Sequence, residues 1–165
     1  MKALLLYSQA LWSLDLIPAE DLDTSWFTDM RGALLENRAQ AELDLRCWSA
    51  AEEDCSAVLQ LDSQAAIARF RRASARQQLG REEEALKDVV LVLEARPDDQ
   101  VVQGFKDELV QEVVAKVRRD LKTIEDPGRR RKKLKAYQLK YHPDKNGGCA
   151  TSAEVFRGIQ SCGAL

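Results

Sequence analysis

A self-similarity of period 34 constrains the fold more than any other feature of the chain. Ala39, Ala51 and Ser63 recur 34 positions later as Ala73, Ala85 and Pro97, and Arg38 recurs as Arg72. The blocks 32–65 and 66–99 each read as helix, turn, helix. The turns fall around Leu45-Arg46-Cys47-Trp48 and around Leu79-Gly80-Arg81. A unit of this size cannot bury its apolar face alone, so such units stack on their neighbours. Small residues are needed where the helices of a stack cross closely. Pro97 stops the second block, because proline lacks the donor and clashes with the preceding turn. The expected class is all-α.

This helix–turn–helix period, with small residues at fixed offsets and Trp48 in an aromatic slot, resembles the tetratricopeptide repeat family. Upstream, Ala3 to Leu11 looks like the second helix of a preceding repeat. Ala3 and Ala51 are 48 positions apart, one period plus a 14-residue insertion. The predicted array is therefore a partial repeat 1–15, an insertion within 16–31, and full repeats 32–65 and 66–99, together spanning 1–104. The insertion holds Pro18, an acidic run and Trp26-Phe27, and a start in mid-repeat is what a truncated array would show. Val101 to Glu125 keep helical spacing, which predicts a linking and capping helix over 105–126. Asp126-Pro127-Gly128 ends it.

Asn37-Arg38-Ala39 resembles the wording of repeat domains that grip the acidic C-terminal tails of heat-shock chaperones. That resemblance implies that Asn37 and Arg71 hold a peptide carboxylate by charge-assisted hydrogen bonds. Ile67 stands where the family places a lysine. Asn37 has a second reading, as a hydrogen bond between neighbouring helices. A general protein-binding groove is common to both.

Charge is divided unevenly along the chain. Residues 1–104 carry 11 basic and 19 acidic side chains, net −8, and residues 105–165 carry 14 basic and 8 acidic, net +6. The C-terminal part should meet an acidic partner. Four cysteines without a CxxC pair, and a single histidine, leave too few ligands for a structural zinc site. They fit reduced thiols and a cytoplasmic protein, with a nuclear location as an alternative. No apolar run reaches the ~18–20 residues of a spanning helix, so no membrane partner is expected. The start, MKALLLYSQALWSL, mimics a signal peptide but is interrupted by Ser8 and Gln9. Were residues 1–15 a signal, the location would be the lumen of the endoplasmic reticulum. No phosphate-cradling glycine loop, nucleophile–base pair or metal cluster is readable, which predicts a protein that is not an enzyme, with no catalytic residue, cofactor or metal.

The segment from Arg129 to Gln160 carries the second motif. A basic helix is predicted from Arg129 to Tyr141, with Leu134, Tyr137 and Tyr141 on one face. His142-Pro143 ends it, since the residue before proline is driven out of helical geometry. Asp144 to Gly148 is turn chemistry, Thr151 or Ser152 is a candidate N-cap, and Val155, Phe156 and Ile159 line one face of a final helix. Together these residues resemble the J domain, placed at 127–165. Tyr141 precedes the tripeptide, Lys145-Asn146 follow it, and Phe156 and Ile159 stand 14 and 17 residues after His142. The resemblance implies that His142, Pro143 and Asp144 activate a heat-shock protein 70 chaperone. It implies a docking face of Arg131, Lys132, Lys135, Lys140, Lys145 and Arg157. The family's first helix is missing as a motif, and Arg130 stands where an apolar residue is expected. The functional expectation is a co-chaperone that recruits client or chaperone-tail peptides and stimulates heat-shock protein 70. The alternatives are a non-catalytic scaffold with a degenerate J segment, or nucleic-acid binding through the basic helix, which is the less favoured partner.

Overall fold

In a computed structural model, which describes residues 1–18, 24–146 and 150–162, every regular element among the described residues is a helix. The chain divides into two compact units, Met1–Pro97 and Asp98–Leu165.

The first unit contains α1 (Lys2–Asp15), α2 (Thr24–Asp44), α3 (Trp48–Leu61), α4 (Ala66–Gln78) and α5 (Glu82–Ala95). Each packs on the next, as a repeat array requires. Ala39, Ala51, Ala73 and Ala85, the residues that set the period, are each fully buried. The two interior hairpin turns close identically. Arg46 and Gly80 both take a positive φ, 62° and 72°. The following N–H then reaches back five residues, from Cys47 to Glu42 O (2.8 Å) and from Arg81 to Arg76 O (2.9 Å). This is a Schellman closure, whose left-handed position favours glycine; the first repeat puts an arginine there. Residues 24–31 of the predicted insertion are helical and lengthen α2 to 21 residues, against 13 in α4. The insertion's residues 19–23 lie outside the described residues. Before Pro97, α5 ends at Ala95 with Arg96 as its C-cap.

A repeated ion pair ties each hairpin together. Arg38 donates to both oxygens of Asp54 (2.6 and 2.7 Å) and lies 3.4 Å from the Ser8 hydroxyl. Arg72 does the same with Asp88 (2.9 and 2.6 Å) and Ser56. Ser8 and Ser56 are 48 apart, and stand in the same relation to Arg38 and Arg72. Bidentate pairing fixes direction as well as energy. The hydrogen bonds to Asp54 and Asp88 raise the pKa of Arg38 and Arg72 above the usual guanidinium value.

One register position breaks the symmetry. Arg76 joins Asp88 (2.8 Å) to Glu52 (2.8 Å), but its counterpart in the first repeat is Glu42, 34 residues earlier. Glu42 is 6% exposed, its nearest cation is Arg38 at 4.0 Å, and its Oε2 has no hydrogen-bond partner. Burial, then the neighbouring Asp54 carboxylate, push its pKa up to about 7.

The second unit contains α6 (Gln100–Lys122), α7 (Pro127–Lys140), a 3-10 turn over Pro143–Asn146, and α8 (Ala150–Ser161). The Asp99 carboxylate caps α6 by accepting from the N–H groups of Val101 and Val102, and Asp126 caps α7 by accepting from Arg129 N–H (2.6 Å). Leu109, Val113, Val117 and Leu121 of α6 are buried, as are Thr151, Val155, Ile159 and Cys162 in the α8 region. The two helices approach closely at Gly158, where an added Cβ would lie 2.5 Å from Val114 Cγ2. Thr151 and Ser152 do not precede α8 as an N-cap: both lie inside its first turn, and the Thr151 side chain is packed away from water. Of the predicted turn, Gly147 and Gly148 lie outside the described residues.

Candidate functional site

The chemistry-bearing residues of the second unit gather where α7 ends. Tyr141 is the C-cap of α7, and His142 lies between the helix and the 3-10 turn. Three interactions shape the tripeptide. Asp144 N–H donates to His142 Nδ1 (3.3 Å). Asn146 Nδ2 donates to the carbonyls of Lys140 (3.1 Å) and His142 (2.9 Å), tying the turn to the end of the helix. The His142 ring meets Phe156 of α8 edge-on, with centroids 5.2 Å apart and planes at 73°. This geometry suits an aromatic quadrupole. The Asp144 side chain is 88% exposed, and its carboxylate is 3.7 Å from His142 Nδ1. The site therefore presents a carboxylate and a half-buried imidazole on a tethered turn. It can make contacts; among the described residues no group of His, Cys, Asp and Glu is placed to hold a metal ion.

The basic residues lie around α7. Arg129, Arg131, Lys132, Lys133 and Lys135 are exposed, Lys140 lies over the Tyr141 ring at 5.5 Å, and Arg157 is exposed on α8. Arg131 shares a cleft of about 400 Å³ with Leu121, Leu134 and Cys162 at the inner side of α7. Lys132 lies with Arg129 and Lys133 on a different cleft, lined also by Glu125 and Asp126. The docking residues named from sequence thus divide between more than one side of the helix. Lys145 is exposed in the 3-10 turn.

Three contributors to this region were not legible in sequence. Arg130 donates twice to Ile124 O (3.0 and 2.7 Å), closing the end of α6 with a guanidinium where an apolar contact was expected. Tyr137 OH donates to Asp120 (2.6 Å). Gly158 gives α8 room against α6. None has a local signature, because each partner is set by packing.

In the first unit, Asn37 is exposed on α2 and Arg71 is half-buried on α4. Arg71 donates to Glu36 O (2.9 Å) and to Gln40 Oε1 (3.0 Å), bridging the two helices next to Asn37. Ile67, one turn before Arg71, is 50% exposed. The sequence reading missed that Trp26 and Met30 share a stripe with Asn37: positions 26, 30, 33, 37 and 40 keep the spacing of one helix face. That spacing was present in the sequence, hidden only because 16–31 was read as an insertion.

These features define a tetratricopeptide-like helical repeat array followed by a smaller helical unit. No family model matches the chain. Sperm-associated antigen 1 from Mus musculus is 38% identical over 89 residues, 54% of this chain and 9% of that protein. Its Homo sapiens counterpart is 35% identical over the same length. The chain thus spans only 9% of the length of these curated relatives. The crystal structure of the myosin chaperone UNC-45 from C. elegans, in complex with a Hsp90 peptide, aligns over 98% of this chain and 18% of its own, with a TM-score of 0.54 and 22% identity. That likeness is one of fold. The Arabidopsis OM64 TPR domain aligns over 49% of this chain and 67% of its own, at 31% identity and a TM-score of 0.47. No described helix is long and apolar enough to cross a membrane.

Proposed function

We propose that this protein is a co-chaperone: the repeat array recruits a client or chaperone-tail peptide, and His142-Pro143-Asp144 stimulates ATP hydrolysis by a heat-shock protein 70. The protein performs no chemistry of its own in this reading; it biases the chaperone toward its hydrolysing state through contacts made better in that state. The observation that carries the reading is the tripeptide itself, placed just past the end of α7 with Pro143 and Asp144 in a 3-10 turn, tethered through Asn146, buttressed by Phe156, and flanked by the exposed cations of α7. Cations of this kind speed encounter with an acidic surface. The array's part rests on its repeat fold.

A single-turnover ATPase assay with a cytosolic heat-shock protein 70 tests it. Wild type should raise the hydrolysis rate, and His142→Gln and Asp144→Asn should each abolish the increase while leaving the helical circular dichroism spectrum intact. Equal stimulation by both variants would sink this mechanism. A flat response from wild type with intact partner capture would leave a scaffold.

A further inference from the structure

We propose that the groove between α2 and α4 is built for a peptide with apolar anchors and flanking basic residues, a specificity that deepens the peptide-recruiting role proposed above and rests on it. Three observations converge. First, three large apolar side chains on this face are open to solvent: Trp26 is 49% exposed, Met30 38% and Ile67 50%. Trp26 and Met30 continue the Asn37 face of α2, and Ile67 lies one turn from Arg71, which joins α4 to α2. This face therefore runs from a polar end at Asn37, Gln40 and Arg71 to an apolar end at Met30 and Trp26.

Second, the arginines of α4 are engaged within the unit. Arg69 donates to Ser63 O, Arg71 to Glu36 O and Gln40, Arg72 to Asp88, and Arg76 to Glu52 and Asp88. A guanidinium fixed by backbone and side-chain acceptors has fewer donors left for a ligand carboxylate.

Third, the ionised groups beside the apolar stripe of α2 are acidic. Asp29 and Asp44 are exposed and Glu36 is half-buried, all within the spacing of the same side of the helix. An acidic rim around apolar anchors complements Lys and Arg flanking apolar residues, and opposes a run of carboxylates. Aromatic and aliphatic anchors in such a groove supply most of the affinity, and the rim supplies selection.

The test uses the full chain and two fluorescein-labelled 12-residue peptides in fluorescence polarisation. One carries Leu, Phe and Leu at i, i+3 and i+7 with lysines at both ends; the other is Asp- and Glu-rich with a free C-terminal carboxylate. The basic–apolar peptide should bind about tenfold or more tightly than the acidic one. Met30→Ser with Ile67→Ser should weaken it about tenfold, and Asp29→Lys with Glu36→Lys should weaken it further at low salt than at high salt. Equal or tighter binding of the acidic peptide overturns this specificity and leaves a peptide-recruiting array standing. Unchanged affinity in Met30→Ser with Ile67→Ser also overturns it. Binding of neither peptide overturns the specificity, while partner capture reports on the recruiting role and the ATPase assay on the tripeptide independently.

Discussion

The arginines of the repeat array and the cations of α7 are chemically alike and placed to opposite effect. In the array, Arg38, Arg72 and Arg76 lie mostly out of solvent, and each closes on a carboxylate within 2.8 Å or less. On α7, Arg129, Arg131, Lys132, Lys133, Lys135 and Lys140 stand exposed on a helix with no fully buried residue. A guanidinium locked to a buried carboxylate specifies which helices pair. An exposed ammonium adds little to folding and is available to a partner. Charge therefore holds the fold in one unit and is left facing solvent in the other.

The sharpest way to break this contrast is Asp88→Ala. It strips the acceptor from Arg72 and Arg76 at a site 1% exposed, and should cost about 3–5 kcal/mol in urea unfolding. Replacing Arg131, Lys132 and Lys135 by Gln should change stability by less than about 0.5 kcal/mol, while weakening chaperone stimulation. If the two experiments give similar losses, the division of roles fails.

Glu42 gives the next largest effect, and its sign follows from linkage. Its folded pKa of about 7 lies above the ordinary 4.5, so the native state holds a proton that the unfolded chain has released. Stability from this group is complete below the unfolded value and declines as pH rises from about 4.5 through 7. Glu42→Gln should remove that decline, raising stability at pH 8 by up to about 3 kcal/mol. Paired melts at pH 5 and pH 8 check it; a wild-type pH dependence retained in the variant would assign the effect elsewhere.

Gly158→Ala probes the second unit alone. Its methyl would overlap Val114 and should destabilise that unit by about 1–3 kcal/mol, with partial rescue by Val114→Ala. Protection of α6 and α8 amides from hydrogen exchange should fall while that of α3 to α5 stays unchanged. The smallest effect is expected at the hairpin turns. Arg46→Gly should stabilise by about 1 kcal/mol, by removing the Cβ that crowds the carbonyl in left-handed backbone. Gly80→Arg should destabilise by a similar amount, and unequal responses would mean that the two turns are not equivalent.

Much of this was legible in the amino-acid order. The period placed α3, α4 and α5, and the 48-residue offset placed α1 in register, because helix faces repeat locally. Pro143 and Pro97 marked helix ends through their own covalent geometry. Other features escaped. The start of α2 was missed because a helix can lengthen into what alignment counts as an insertion. The N-cap proposed at Thr151 failed because burial competes for the same side chain. Asp54 and Asp88 share the period, yet nothing in their local neighbourhood marks them as acceptors for an arginine 16 residues earlier.

The sequence by itself determined the helical repeats, their turns, and a tripeptide that cannot continue a helix, since all three follow from steric limits within a few bonds. Only the tertiary structure decided which charges are consumed by the fold. Pairing Arg38 with Asp54, seating Arg130 on Ile124, and stranding Glu42 beside a carboxylate depend on distances between helices. Burial then sets the strength of each interaction, and burial is a property of the packed chain rather than of any segment.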